Sequence, residues 1–305
     1  MAEFSAKDVA ELRKQTGCGM MDCKNALKDA NGDFEAAIKI LREKGMAATA
    51  KKASRIAAEG LVDVLTIGNT TAIVEVNSET DFVAKNAIFQ EFVKDVLKSI
   101  IANKPANVDE LLASAFVSGG TVADALAEKT YTIGEKLSIR RFAVVEGAVA
   151  TYIHGLGATG VVVSFDTDLQ GTDGFAECAK NVALQTAAMP VQYLDKDSVP
   201  AEVIAEEKNI LIAQMQQDPK MANKPQAVLE KIVEGRIGKF YENNCLVHQL
   251  YVKDDSMTVA KYVETTAKAL GGSIKVTGYV RFDKGEGLEK REEDFAAEIQ
   301  KMVQG

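Results

Sequence analysis

Leu61-Val62-Asp63-Val64-Leu65-Thr66-Ile67, then Gly68-Asn69, then Thr71-Ala72-Ile73-Val74-Glu75-Val76 is the stretch from which the fold can be read. Both flanks are rich in β-branched residues, and Gly68-Asn69 between them is a turn pair, so the stretch predicts a β-hairpin. Asn77-Ser78-Glu79-Thr80-Asp81 follows, where Ser78 or Thr80 is placed to cap a helix. That helix carries Phe89, Val93, Val96, Leu97 and Ile100 at helical spacing. Two more short helices are expected within 108–136, and Ile139–Ile153 returns to strand with an interruption at Gly147. Strands and helices gathered in separate runs indicate an α+β fold.

Downstream the same grammar recurs. Val149–His154, a glycine-rich turn and Val161–Phe165 predict a second hairpin, and an acidic polar stretch leads to a helix over Phe175–Ala187. Ile139–Gly147 and Val276–Phe282 are both strands that follow helical stretches. Two related α+β subdomains are the reading. Between them, Val203, Ile204, Ile210, Leu211 and Met215 mark one helix. Val228, Leu229, Ile232, Val233, Ile237 and Phe240 mark its return, and the turn lies between Asp218-Pro219 and Lys224-Pro225. This is an antiparallel helical hairpin inserted in the second subdomain, serving either as a rigid arm or as a contact surface.

Upstream, residues 5–45 predict three short helices. Ser5 and Asp8 form a capping box, Thr16-Gly17 breaks the first helix, and Met20, Cys23 and Leu27 give the second one apolar face. Asn31-Gly32 ends that helix, and Asp33 caps a third lined by Phe34, Ala37, Ile38 and Leu41, with Gly45 expected to close it. A module this small has a thin core, which suits an interaction module. The alanine-rich, basic stretch 46–58 (Lys51, Lys52, Arg55) is a helical linker, either a solvated spacer or a dock for an acidic patch.

The totals narrow the function classes. The chain has 305 residues with a formal net charge of -8, 47% hydrophobic and 26% charged. That composition supports two or three packed domains, and its acidity disfavours nucleic acid as a partner and favours a folded partner with a basic face. Four cysteines (Cys18, Cys23, Cys178, Cys245) form no CxxC pair, which is the pattern of reduced thiols in a cytoplasmic protein. No apolar run approaches the ~20 residues that span a bilayer, and no secretory or transit segment is expected. His154 and His248 are the only histidines and tryptophan is absent, leaving little from which to build a hydrolytic or metal centre.

Four motifs need weighing. Gly155-Leu156-Gly157-Ala158-Thr159-Gly160 fits GxGxxG but runs into the strand Val161–Phe165, so the helix end that would hold a pyrophosphate is missing and a hairpin turn is expected. There is no GxxxxGK[ST] loop. Asp166, Asp168, Gly171 and Glu177 resemble a calcium loop, but Gln170 stands at its fifth position and a strand precedes it, so an acidic strand-to-helix loop is expected. The two histidines read as structural or surface residues. Phe82, in Thr80-Asp81-Phe82-Val83, lies seven residues before Phe89, which fits a core position on one helical face; it equally fits an apolar wedge protruding beside a carboxylate.

Five stretches, in order, resemble the elongation factor Ts family. They are Leu12–Leu27 (LRKQTGCGMMDCKNAL), Glu75–Lys85 (EVNSETDFVAK), Ile133-Gly134-Glu135-Lys136 with Arg140-Arg141, Lys231–Arg236 (KIVEGR) before Lys239-Phe240, and Arg281-Phe282 through Gly285–Lys290. The resemblance spans nearly the whole chain. It implies a non-enzymatic guanine-nucleotide exchange factor for elongation factor Tu, needing no cofactor or metal of its own, with no nucleic-acid or membrane partner. Thr80, Asp81, Phe82 and Val83 would be the partner-binding segment, with Phe82 the wedge that intrudes near the GTPase's Mg²⁺ and phosphate site. The N-terminal module and C-terminal end would grip the GTPase domain, and the second subdomain would touch its third domain.

The resemblance also implies a domain plan: a three-helix module like a ubiquitin-associated domain with its linker (1–55), core subdomains at 56–147 and at 148–195 with 242–285, a coiled-coil hairpin at 196–241, and a C-terminal helical module at 286–305. The chain departs from the family pattern in places. Ala158-Thr159 stand where a basic residue is common, which weakens what the resemblance implies about contacts from that turn; Gln249-Leu250 replaces a common Gln-Pro, and Cys18 replaces a small non-thiol residue. The alternative class is a scaffold or chaperone-like binder that attaches to a partner without altering nucleotide release.

Overall fold

The computed structural model describes residues 4–16, 18–217 and 224–289. The expected break at Gly17, most of the hairpin turn (218–223) and most of the C-terminal module (290–305) lie outside the described residues. The fold is mixed α and β, with N-terminal helices and several small sheets, and the chain divides into two compact units.

The first unit takes in the chain to Val144, Gly155–Thr159 and the segment from Phe282 onward. It opens with α1 (Ala6–Thr16), α2 (Met20–Asp29) and α3 (Phe34–Lys52). Their shared core includes Val9, Leu12, Cys23, Leu27, Ala37 and Leu41. The expected caps form: Ser5 and Asp8 hydrogen-bond reciprocally, and Asp33 accepts from the Ala36 N–H at 2.8 Å. Gly45 does not end α3, which continues to Lys52. A Cβ on Gly45 would lie 3.2 Å from the Ala127 carbonyl oxygen, so this glycine permits close packing on another helix rather than a stop.

The hairpin is β1 (Glu59–Ile67) and β2 (Thr70–Ser78), antiparallel, with Leu61 opposite Val76 and Ile67 opposite Thr70. Gly68 has φ +61° at the first turn position, which matches the twist of the flanking strands. Four helices follow: α4 (Asp81–Ala84), α5 (Ala87–Asn103), α6 (Val108–Ala113) and α7 (Val122–Ile133), of which the last two are the pair expected within 108–136. Strand β3 (Ser138–Glu146) then joins the hairpin beside β2. The helices cover the sheet with Phe89, Phe92, Val93, Val96, Leu97 and Ile100 against Val74 and Val76. All six of those helical residues are essentially without solvent contact. At roughly 1.5–3 kcal/mol for each large apolar side chain buried, they contribute substantially to holding the β2 platform.

The second unit takes in Val145–His154 and Gly160–Arg281. Its strands β4 (Ala148–His154) and β5 (Thr159–Thr167) form the second expected hairpin. The GxGxxG stretch is the turn between them, with Gly155 and Gly157 at φ +58° and +90°. Helix α8 (Asp173–Ala188) is capped by Thr172, and Phe175 meets Phe165 edge-on at 5.4 Å between centroids. Helices α9 (Ala201–Gln217) and α10 (Gln226–Asn244) pack on one another through Leu211, Met215, Val233 and Ile237.

A single-turn 3₁₀ segment ending at His248 precedes the short pair β6 (Leu250–Tyr251) and β7 (Asp254–Thr258). Helix α11 (Val259–Leu270) and β8 (Ile274–Asp283) complete the unit, and β8 lies beside β5. The two larger sheets therefore share one order, a hairpin with a later strand added beside its second member. Asp168, in the calcium-like loop, accepts from the Ser273 N–H at 2.7 Å and so is occupied in holding the start of β8.

Candidate partner-binding site

The segment Thr80–Val83 sits where β2 leaves its sheet. Neither Ser78 nor Thr80 caps α4 through its side chain, contrary to expectation. The Ser78 hydroxyl donates to the Thr80 carbonyl at 2.9 Å, and the Thr80 hydroxyl is taken by Glu135. Glu135 follows directly on the glycine that closes α7. It receives both the Thr80 hydroxyl at 2.6 Å and the Thr80 N–H at 2.9 Å, a two-point hold on the residue before the helical turn. Its neighbours act in parallel. Glu79 accepts from the Lys136 N–H at 2.6 Å and from Arg55 at 3.1 Å. The Lys136 ammonium donates to the Ala53 and Arg55 carbonyls at 2.7 Å each. The basic end of 46–58 is thus tied at Ala53 and Arg55 to the same loop that holds Thr80, although most of its side chains, Lys51 among them, remain exposed.

The single turn α4 then splits its side chains. Val83 is buried in the helix–sheet core, whereas Phe82 is 78% exposed. The core position suggested by the seven-residue spacing to Phe89 is not realised. That spacing presumes one continuous helix, but α4 stops at Ala84 and α5 restarts at Ala87, with Asn86 accepting from the Ile88 N–H at 2.8 Å. The break resets the helical phase, so Phe89 enters the core and Phe82 does not. Asp81 pairs with Lys85 at 2.6 Å, and this hydrogen bond holds its carboxyl below the usual range. The Lys85 ammonium also lies 5.8 Å from the Phe82 ring centre.

Beneath the segment lies a charged hub that sequence reasoning left without a role. Glu75 is fully buried in β2 and accepts from Arg140 at 3.0 Å, Arg141 at 2.6 Å, Asn77 at 3.1 Å and the Gly285 N–H at 2.8 Å. Burial pushes its carboxyl up, but the hydrogen bonds from Gly285, Arg140, Asn77 and Arg141 outweigh it, and the group ends below its ordinary value. Arg140 also donates to the Glu286 carbonyl, and Arg141 donates to the Asp283 carbonyl at 3.1 Å while stacking 4.4 Å over Phe282. Glu75, Arg140-Arg141 and Phe282–Glu286 come from three separate sequence motifs and form one cluster. The signal available in sequence was the acid itself: a glutamate between Val74 and Val76, in a run otherwise apolar, requires a buried cation.

Two further residues to which the sequence assigned no role, Leu156 and Lys284, stand near α4. The turn carrying Leu156 and Ala158 borders a shallow depression of about 320 Å³, together with Gly60, Asp81, Ala84, Lys85 and Lys284. Leu156 is highly exposed, and Lys284 pairs with Glu59. Among the described residues there is no group of three or more His, Cys, Asp or Glu able to hold a metal ion. Nor, among them, is any helix long and apolar enough to cross a membrane. The chemistry available on this face is that of recognition: a projecting aromatic ring, a compensated ion pair and a rigid base.

Comparison with known proteins agrees with that character. The family model described as Elongation factor TS matches residues 79–286. The chain is 46% identical to Elongation factor Ts of Syntrophotalea carbinolica over 305 residues, covering 99% of both chains. It is 45% identical to Elongation factor Ts of Clostridium kluyveri over 309 residues, again covering 99% of each. On a family match across more than half its length and identity of this order from end to end, the chain belongs to the elongation factor Ts family.

Proposed function

We propose that this chain releases GDP from elongation factor Tu by inserting Phe82, carried on the α4 turn, beside the GTPase's Mg²⁺ and phosphate site. As an elongation factor Ts it is the nucleotide exchange factor for elongation factor Tu in translation elongation, and not an enzyme. The observation that carries the wedge is the phase break at Lys85-Asn86, which leaves a phenylalanine in solvent on a turn whose two ends are fixed, by Glu135 at Thr80 and by the buried Val83. The backbone that carries the ring is thereby ordered before binding, which lowers the free energy lost to ordering the turn. Thr80 and Val83 set the turn, and Asp81 presents its charge beside the ring.

The thermodynamics are those of linkage. A factor that binds the nucleotide-free GTPase better than the GDP-bound form must weaken GDP binding by the same ratio. Disturbing the Mg²⁺ removes charge stabilisation from the GDP phosphates, GDP leaves, and GTP rebinding expels the factor. The domain plan gives the other parts supporting roles in this reading. The ubiquitin-associated-like module (1–55) and the C-terminal module (286–305) grip the GTPase domain, the core subdomain comprising 148–195 and 242–285 contacts the third domain, and the hairpin (196–241) is an inserted arm. Cytoplasmic location follows from the partner.

Stopped-flow release of fluorescent GDP from elongation factor Tu tests the proposal. Transfer of a Phe side chain from water is worth roughly 1.5–3 kcal/mol, so Phe82→Ala is expected to slow factor-driven release about 10- to 150-fold while complex formation persists. Release unchanged by the substitution would remove Phe82 from the mechanism.

A further inference from the structure

We infer that Leu156 is a second apolar contact on the same partner-binding face, gripping elongation factor Tu beside the point where Phe82 enters; this rests on the exchange reading above. Among the described residues, Leu156 and Phe82 are the two most exposed large apolar side chains, at 86% and 78%, and the next is Met21 at 62%. A single exposed leucine is ordinary. This one is not, because it also occupies a left-handed backbone conformation, φ +55°, between Gly155 and Gly157, which share that conformation. Glycine and asparagine adopt it readily, and leucine does so at a cost. The side chain therefore satisfies neither the local backbone nor the protein's own core.

The turn is nevertheless rigid. The Val62 N–H donates to the Gly157 carbonyl at 2.8 Å, and a Cβ on Gly157 would lie 2.7 Å from that of Leu61, so the loop is pressed onto β1. The Lys284 N–H donates to the Ala158 carbonyl at 2.8 Å, and the Thr159 hydroxyl donates to Asp283 at 2.6 Å. Leu156 is thus presented as firmly as Phe82, across one depression from Asp81, Ala84 and Lys85. The charges around that depression are already paired, Lys85 with Asp81 and Lys284 with Glu59. Its partner is accordingly an uncharged apolar element of the GTPase, continuous with the surface that receives Phe82. Leu156 adds affinity, while Phe82 acts on the nucleotide site.

The test compares Leu156→Asn, Leu156→Ala and Phe82→Ala by titrating each into fluorescent-GDP-loaded elongation factor Tu, with thermal unfolding of each factor alone. Both Leu156 variants are expected to need about 5- to 20-fold more factor for half-maximal acceleration, as for a partly buried leucine, with the saturating rate unchanged. Phe82→Ala instead lowers the saturating rate. Leu156→Asn should unfold at or above the native temperature, since asparagine suits the left-handed backbone. Native titration midpoints in both Leu156 variants, with Phe82→Ala impaired, would overturn the role of Leu156 and leave the wedge standing. A lowered unfolding temperature in Leu156→Asn would overturn it too, by assigning the side chain to the fold. No acceleration by the native chain would overturn the exchange reading and this contact with it.

Discussion

Replacing Glu75 by alanine should be strongly destabilising, and the structure sets the scale. The carboxylate is fully buried and is the shared acceptor for Arg140, Arg141, Asn77 and the Gly285 N–H. Removing one partner of a buried ion pair costs roughly 3–5 kcal/mol when the other charge is stranded. Here the arginines are 24% and 29% exposed and keep other acceptors at Glu286 and Asp283, so the charge share of the loss is discounted to about 1–2 kcal/mol. The Gly285 N–H has no such outlet, and an unmet buried donor adds about 1–3 kcal/mol. A total of about 2–5 kcal/mol follows, measurable by urea denaturation monitored by circular dichroism. Glu75→Gln adds a pH signature. The folded carboxyl titrates below its unfolded value near 4.5, so its stabilisation is present above that value and is lost as pH falls from there through the folded pKa. The native chain should lose stability in that window more steeply than Glu75→Gln. An alanine variant within about 0.5 kcal/mol of native, or parallel acid limbs, would refute the reasoning that this carboxylate organises the base of the site.

The remaining predictions concern the geometry of the turn. Glu135→Ala removes both hydrogen bonds to Thr80, so the saturating GDP-release rate should fall several-fold with a smaller effect on complex affinity, and Glu135→Gln, which keeps an acceptor, should recover part of the rate. Equal losses of rate and affinity in the stopped-flow titration would argue for general unfolding instead. Gly60→Ala should destabilise by more than about 2 kcal/mol in urea denaturation, because φ is +116° and the added Cβ would lie 2.1 Å from the Val76 carbonyl oxygen. A neutral result there would mean that β1 can slide along β2.

What was legible in the sequence was what local chemistry decides. Gly68-Asn69 between β-branched runs fixed a hairpin because turn and strand preferences agree there, and the same agreement places β4 and β5. Gly45 was misread because a glycine before an alanine-rich run has two uses, as a helix stop and as room for a neighbouring helix, and only the position of Ala127 selects between them. Phe82 was ambiguous for a related reason. Periodicity assigns a face only along an unbroken helix, and the break is marked by a cap, Asn86 accepting from the Ile88 N–H, rather than by any apolar pattern. The acid at Glu75 was visible within its apolar run, but its partners, like that of Glu135, were not, because they are remote: 55 residues separate Thr80 from Glu135 and 210 separate Glu75 from Gly285. The same distance explains why the family was legible from motifs spread along the chain while their contacts were not legible from periodicity. Motifs spread along the chain become a single physical object only when Glu75, Arg140, Arg141 and the segment at Gly285 close on one another, and the Phe82 turn stands at the end of the strand they hold.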